Sequence, residues 1–142
     1  MFNLSALMRQ HTELIRRTMK LGQFAAGPRP ESLDELMATL QGFSELLLSH
    51  LQDEDENLYP ALCNSPVARL AQTAQTFTAE MGDHADLWLG YHATWSRSAI
   101  LKDWAGFCAA TEEMMERISH RIVRENRMLF PLIDRRKDRA AA

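Results

Sequence analysis

Residues 49–60 read SHLQDEDENLYP and residues 119–131 read SHRIVRENRMLFP, so a histidine and a glutamate interrupt an apolar helical pattern twice in 142 residues. Few features constrain a fold more. Carboxylates are almost never fully buried unless paired, and an isolated ionised one in a low-dielectric core costs several kcal/mol at least. A chain that buries Glu54 must bring a compensating group to it.

Breakers divide the sequence into four helical patterns. GPRPES at 27–32 carries two prolines, and Ser32 with Glu35 three residues on forms a capping box for a second helix. NSP at 64–66 offers Ser65 as N-cap and Pro66 as first helical residue of a third. A softer break spans 96–103, without Gly or Pro. No stretch shows a period of two, so the reading is all-α.

The apolar stripes recur every three or four residues. The first is Leu4, Met8, His11, Ile15; the second is Leu33, Leu36, Leu40, Phe43, Leu47, His50, Glu54, Leu58. The third runs Val67, Leu70, Ala74, Phe77, Met81, His84, Trp88, Tyr91, Trp95, and the fourth Phe107, Thr111, Met114, Ile118, Ile122, Glu125. Short connections make neighbours antiparallel, so an up-down-up-down antiparallel four-helix bundle in a single domain over residues 1–142 is expected. In such a bundle, residues at one height are placed symmetrically about the connecting turn. The midpoints of His11 and His50, of His50 and His84, and of His84 and His120 fall at about 30, 67 and 102, on or beside the three breaks. The spacing therefore predicts one layer with a histidine from every helix.

Composition excludes little but points one way. With 46% apolar residues, 25% charged and a net charge of −3, the chain has neither the basic excess of a nucleic-acid binder nor a run long enough to span a membrane. The basic end DRRKDRAAA is expected to be a solvated helix tail. Cys63 and Cys108 lack a CxxC neighbour and read as small apolar residues in a reducing compartment, and the opening MFNLSALMRQHTEL, which meets a charge and a histidine by residue 11, is not expected to act as a secretory signal. The cytoplasm is the expected location.

Two chemistries satisfy a layer of His and Glu. One is a hydrogen-bonded polar layer, or a salt bridge from Glu54 to an arginine such as Arg16, Arg17 or Arg121. The other is a metal site, in which imidazole nitrogens and carboxylates neutralise a cation and satisfy one another. The second uses four histidines and two glutamates more completely. Trp88, Tyr91 and Trp95, at heptad spacing, are core packing first, with Trp88 placed to limit water at the layer. The eight methionines are gap-fillers.

His11 in QHTELI, His50 and Glu54 in HLQDEDENLYP, His84 in DHADLW, and His120 and Glu125 in HRIVRENRMLFP resemble the hemerythrin-like (HHE) cation-binding domains over nearly the whole chain. His11 and His84 both open H-x-x-L, and Glu54 and Glu125 both precede L-[YF]-P, as in a duplicated helical hairpin. The resemblance implies a non-haem di-iron centre, oxo- or hydroxo-bridged, with histidines as terminal ligands and both glutamates bridging; zinc or manganese are substitutes.

Two departures stand out. His120 and Glu125 are five residues apart, about 140° around an ideal helix. A π-bulge would bring them together, as the similar five-residue step in oxygen-carrying hemerythrins requires. A four-residue step, common among HHE proteins, would instead put Arg121 at the histidine position and leave His120 facing solvent beside Glu113 and Glu116. Oxygen carriers also have a further histidine one turn from the one matching His84, where this chain has Glu80 and Trp88; Glu80 is a candidate substitute, and His92 reads as an ordinary end-of-helix residue. With fewer ligands, the resemblance implies a protein that binds O2, NO or peroxide, or senses iron or redox state. A di-iron peroxidase or NO-handling enzyme, and a regulatory protein-interaction module like the sigma-factor-binding bundles with structural or absent metal, are the competing expectations.

Overall fold

In a computed structural model, which describes residues 2–133, the chain is all helical. The basic tail expected at 134–142 lies outside the described residues. Helix α1 (Leu4–Ala26) is capped by Asn3, whose Oδ1 accepts from the Ala6 N–H at 3.1 Å. Helix α2 (Asp34–Asp53) passes through a π-helical turn at Glu54–Leu58 into α3 (Tyr59–Cys63), making one rod. The third rod is α4 (Ala68–Met81) and α5 (His84–Thr94). A short α6 (Arg97–Lys102) fills the soft break. The fourth rod, α7 (Trp104–Arg124), ends in a second π-turn at Glu125–Leu129. In the bundle α1 packs on α2 and α7, and α5 closes the ring by packing on the same two. Among the described residues no helix is long and apolar enough to cross a membrane.

Both π-turns sit just before a proline. Tyr59 N–H donates to Glu54 O and Phe130 N–H to Glu125 O, five residues back. Pro60 and Pro131 lack an N–H and would clash with the carbonyl four residues earlier; widening the helix by one residue relieves both problems. L-[YF]-P is the sequence mark of this device. The bulge expected between His120 and Glu125 therefore lies one step later.

Three boundaries differ from the sequence reading. Ser32 and Ser65 each accept from the backbone N–H two residues on, Asp34 at 3.2 Å and Val67 at 3.1 Å, so both form a turn ahead of the helix and Leu33 and Val67 take the N-cap position. The third rod breaks at Gly82–Asp83, where a Cβ on Gly82 would meet the Thr78 carbonyl oxygen at 2.5 Å. The first stripe is Leu4, Leu7, His11 and Leu14, with Met8 exposed. The second stripe is buried throughout, Leu33 to Leu58. In the third, Val67 is exposed, and in the fourth Met115 is buried where Met114 was expected.

The apolar interior is split in two. One cluster runs from Leu14 and Leu51 to Trp88 and Ile122; the other joins Leu7, Leu58, Met81 and Leu129. Between them all four rods change character at one height. The intervening residues include His11, Glu54, His84 and Glu125, each buried. Trp88, with its Nε1–H on Ser44 Oγ at 2.9 Å, and Tyr91, paired with Thr111 at 2.6 Å, belong to the first cluster as packing.

Candidate metal centre

Four of the six candidate ligands meet. Among the described residues, one ligand atom each from His11, His50, Glu54 and Glu125 lies within 4.8 Å of all the others. His11 Nε2 and His50 Nε2 stand 3.1 Å apart. Glu125 Oε1 is 3.1 Å and Glu54 Oε2 3.5 Å from His11 Nε2, while Glu54 Oε1 is 3.2 Å from His50 Nε2. His50 and Glu54 share a helix face because they are four residues apart.

The outward ring nitrogens fix what the inward ones can do. His11 Nδ1 lies 2.7 Å from Asn126 Oδ1 and His50 Nδ1 2.6 Å from Gln10 Oε1. An amide oxygen only accepts, so each Nδ1 carries the proton and each neutral imidazole turns the lone pair of Nε2 inward. Two imidazole lone pairs and two carboxylates then converge with nothing to donate between them. With both imidazoles neutral, Glu54 Oε2 and Glu125 Oε1 are buried without a hydrogen-bond donor among the described residues. Such a meeting of acceptors holds only around a proton or a cation.

The electrostatic surroundings of these groups favour the proton alternative in the absence of a cation. Burial alone would lower the pKa of His11, but hydrogen bonds to Glu125 and Glu54 outweigh it and raise it from 6.5 to about 10. Burial would raise Glu54, yet His11, His50 and the charge of Arg121 hold it below the usual carboxylate range. Glu125 is pushed the other way, by burial and then by the neighbouring Glu54 charge. The Tyr59 phenol, raised by burial and by Glu125, stays protonated and donates to Glu125 Oε2 at 2.5 Å.

His120 is exposed and does not join the layer. The expectation of a histidine from every helix at one height is corrected here, and the reason is helical phase: Arg121, four residues before Glu125, takes the inward position that His50 holds before Glu54. Arg121 is buried, 3% exposed. Its Nη2 reaches Glu54 Oε1 at 3.2 Å and Asp55 Oδ1 at 3.0 Å, its Nε reaches Glu125 Oε2 at 3.3 Å, and its Nη1 donates to the Met81 carbonyl at 2.9 Å. Both chemistries open to the sequence thus coexist: Glu54 has its arginine on one side and the imidazoles on the other. Arg16 and Arg17 pair with Glu13 instead.

His84 is buried at the same height but stands outside the close group, and its Nδ1 has no hydrogen-bond partner among the described residues. Burial and then the Arg121 charge lower its pKa to about 4, keeping it neutral. It lines a small cavity with His50, Glu54, Arg121 and Glu125 on one side and Leu14, Leu47, Leu51, Ile118 and Ile122 on the other, with room for about one water-sized molecule. Trp88 does not line it, contrary to expectation. Glu80 forms an ion pair with Arg124 at the surface, and His92 stacks on Trp88 at 5.7 Å. Neither reaches the centre.

A family model for the hemerythrin HHE cation-binding domain matches residues 3–133. The chain belongs to that family. No curated protein and no solved structure matches it. Within this HHE domain the residues fit one cation well: four inward-turned acceptors, two of them orphaned, and outward nitrogens held by amides, the arrangement that orients metal-binding histidines. A second cation fits poorly, because a guanidinium already occupies the far side of both carboxylates.

The sequence did not reveal Gln10 or Asn126 as parts of the site, whereas Arg121 was among the arginines it offered to Glu54 and is the one that pairs with it. Gln10 and Asn126 adjoin His11 and Glu125 in the chain, but each orients the imidazole of another rod, His50 and His11 respectively. Phe130, at the position equivalent to Tyr59, stacks on His11 at 5.0 Å.

Proposed function

We propose that this metal-binding HHE domain holds iron at His11, His50, Glu54 and Glu125 and uses it to bind a small diatomic ligand, O2 or NO, or to respond to iron or redox state in the cytoplasm. The observation that supports the reading is the convergence of four acceptors, with both imidazole tautomers preset by Asn126 and Gln10. Bound there, iron would supply the redox-active, Lewis-acidic centre; zinc or manganese would bind the same donors without its oxygen chemistry.

The chain's own groups do the rest. Asn126 and Gln10 hold the rings, Tyr59 fixes Glu125 through Oε2, and Phe130 shields the face of His11. In the metal-free protein a proton on His11 Nε2 satisfies the carboxylates, and loading a cation requires that proton to leave. The apolar side of the adjoining cavity suits a diatomic molecule or peroxide better than anything larger.

The test is anaerobic titration with Fe(II), followed by optical spectra before and after adding NO. Tight uptake that is lost in His11→Ala, together with a new NO-dependent band, is the expected result. A second reading, a regulatory interaction module with structural or absent metal, draws on Arg121, which pairs with both carboxylates without any metal. Failure of the wild-type protein to take up Fe(II) would leave that reading standing.

A further inference from the structure

We infer that the Arg121 guanidinium stands in the place of a second cation, so that the centre takes one metal ion per chain and not a pair. This rests on the reading that the His and Glu cluster binds metal, and adds the stoichiometry.

Each carboxylate is divided between two sides. Glu54 turns Oε2 toward His11, and its Oε1 faces both His50 and Arg121 Nη2; Glu125 turns Oε1 toward His11 and Oε2 toward Arg121 Nε. A carboxylate placed this way bridges two positive centres. One position is the acceptor cluster; the other already holds a charge.

Arg121 is built in rather than swung in. Four of its N–H groups have acceptors: Glu125, Glu54, Asp55 and the Met81 carbonyl. That carbonyl is free because α4 ends at Met81, and the end of a helix carries partial negative charge that favours a cation. The Tyr59 ring lies 5.5 Å from the guanidinium carbon. Displacing the arginine would strip all of these contacts inside a closed core.

Charge leads to the same conclusion. One divalent ion plus Arg121 balances the buried carboxylates Glu54 and Glu125 and the half-buried Asp55, whereas a second divalent ion would add uncompensated positive charge in a buried layer. His84, which would be the natural further ligand on this side, is left with Nδ1 unpaired beside the arginine.

The experiment uses the full chain, stripped of metal and titrated with Co(II) and with Mn(II), with bound metal counted by elemental analysis and Mn(II) read by EPR. One ion per chain, with an uncoupled six-line Mn(II) signal, is expected. His84→Ala should keep that one ion, while Arg121→His should gain a second equivalent with spin coupling, and Arg121→His, His84→Ala should lose it again. Two coupled ions in the wild-type protein overturn the inference while leaving metal binding intact. No binding of either metal overturns both. Loss of the single ion in His84→Ala, or a count still at one in folded Arg121→His, also overturns it. Should Arg121→His fail to fold, the wild-type count and the His84→Ala count decide alone.

Discussion

The two halves of the molecule repeat one plan and diverge at one residue. In the first hairpin His11 faces His50 and Glu54, with Tyr59 beyond the π-turn; in the second His84 lines one cavity with Arg121 and Glu125, with Phe130 beyond the π-turn. Both glutamates are fully buried, and each has a basic residue four positions earlier. The first half supplies a neutral base with an inward lone pair; the second supplies a permanent cation. The same backbone device thus offers an open position for a cation on one side of the carboxylates and fills the equivalent position on the other. Two segments of similar sequence thus keep the same backbone while differing in what faces the buried carboxylates, an imidazole in one and a guanidinium in the other.

The sharpest way to break this comparison is to remove the basic residue from each half in turn. In the metal-free protein Arg121→Met should cost about 3–5 kcal/mol, since it removes the guanidinium that pairs with both buried carboxylates, Glu54 and Glu125. His50→Leu should cost less, about 1–3 kcal/mol, because Arg121 and His11 still face Glu54. Urea unfolding of both variants checks it. Equal costs would mean that the halves are not divided between a structural and a ligating role.

A second separation uses pH. His11 has its pKa raised from 6.5 to about 10, so in metal-free protein its contribution is fully present below about 6.5 and is lost as pH rises through 10. His84 is shifted the opposite way, from 6.5 to about 4: it is buried neutral, so stability falls as pH drops from 6.5 toward 4, while the unfolded chain takes up the proton first. The first half should therefore weaken the metal-free protein in base and the second in acid. Melting temperatures from pH 4 to 10, repeated in His11→Asn, should lose the alkaline slope only. Metal affinity should rise with pH over the alkaline range, because binding displaces the His11 proton.

Much of this was legible in the chain. The second stripe, Leu33 to Leu58, is buried residue for residue, because its eight members keep a three- or four-residue spacing that holds one helical phase even through the Leu46–Leu47–Leu48 run. The first stripe slipped by one, Leu7 and Leu14 for Met8 and Ile15, because adjacent apolar pairs fit either phase. The turn arithmetic located the layer on His11 and His50, whose ring nitrogens meet at 3.1 Å. It failed at His120 because an arginine inside a core contradicts residue preference, so the histidine next to it drew the pattern one residue out of phase. Gln10 and Asn126 were invisible for a different reason. Each orients a ring on another rod, and nothing local to a polar residue announces a partner forty or more positions away.

The smallest expected effect tests what the second half has lost. His84 Nδ1 is buried with no hydrogen-bond partner among the described residues, an arrangement that costs free energy. His84→Leu keeps the volume and removes both the orphaned nitrogen and the positive field it suffers from Arg121. The variant should be unchanged or more stable by about 1 kcal/mol at neutral pH, and more clearly so near pH 5, where the acid-side loss disappears. The same exchange at His11 removes a group that two carboxylates face, and it should destabilise. A marked loss of stability in His84→Leu, seen by urea unfolding at pH 7, would mean that His84 holds a partner in solution, and the second half would then be a working counterpart of the first.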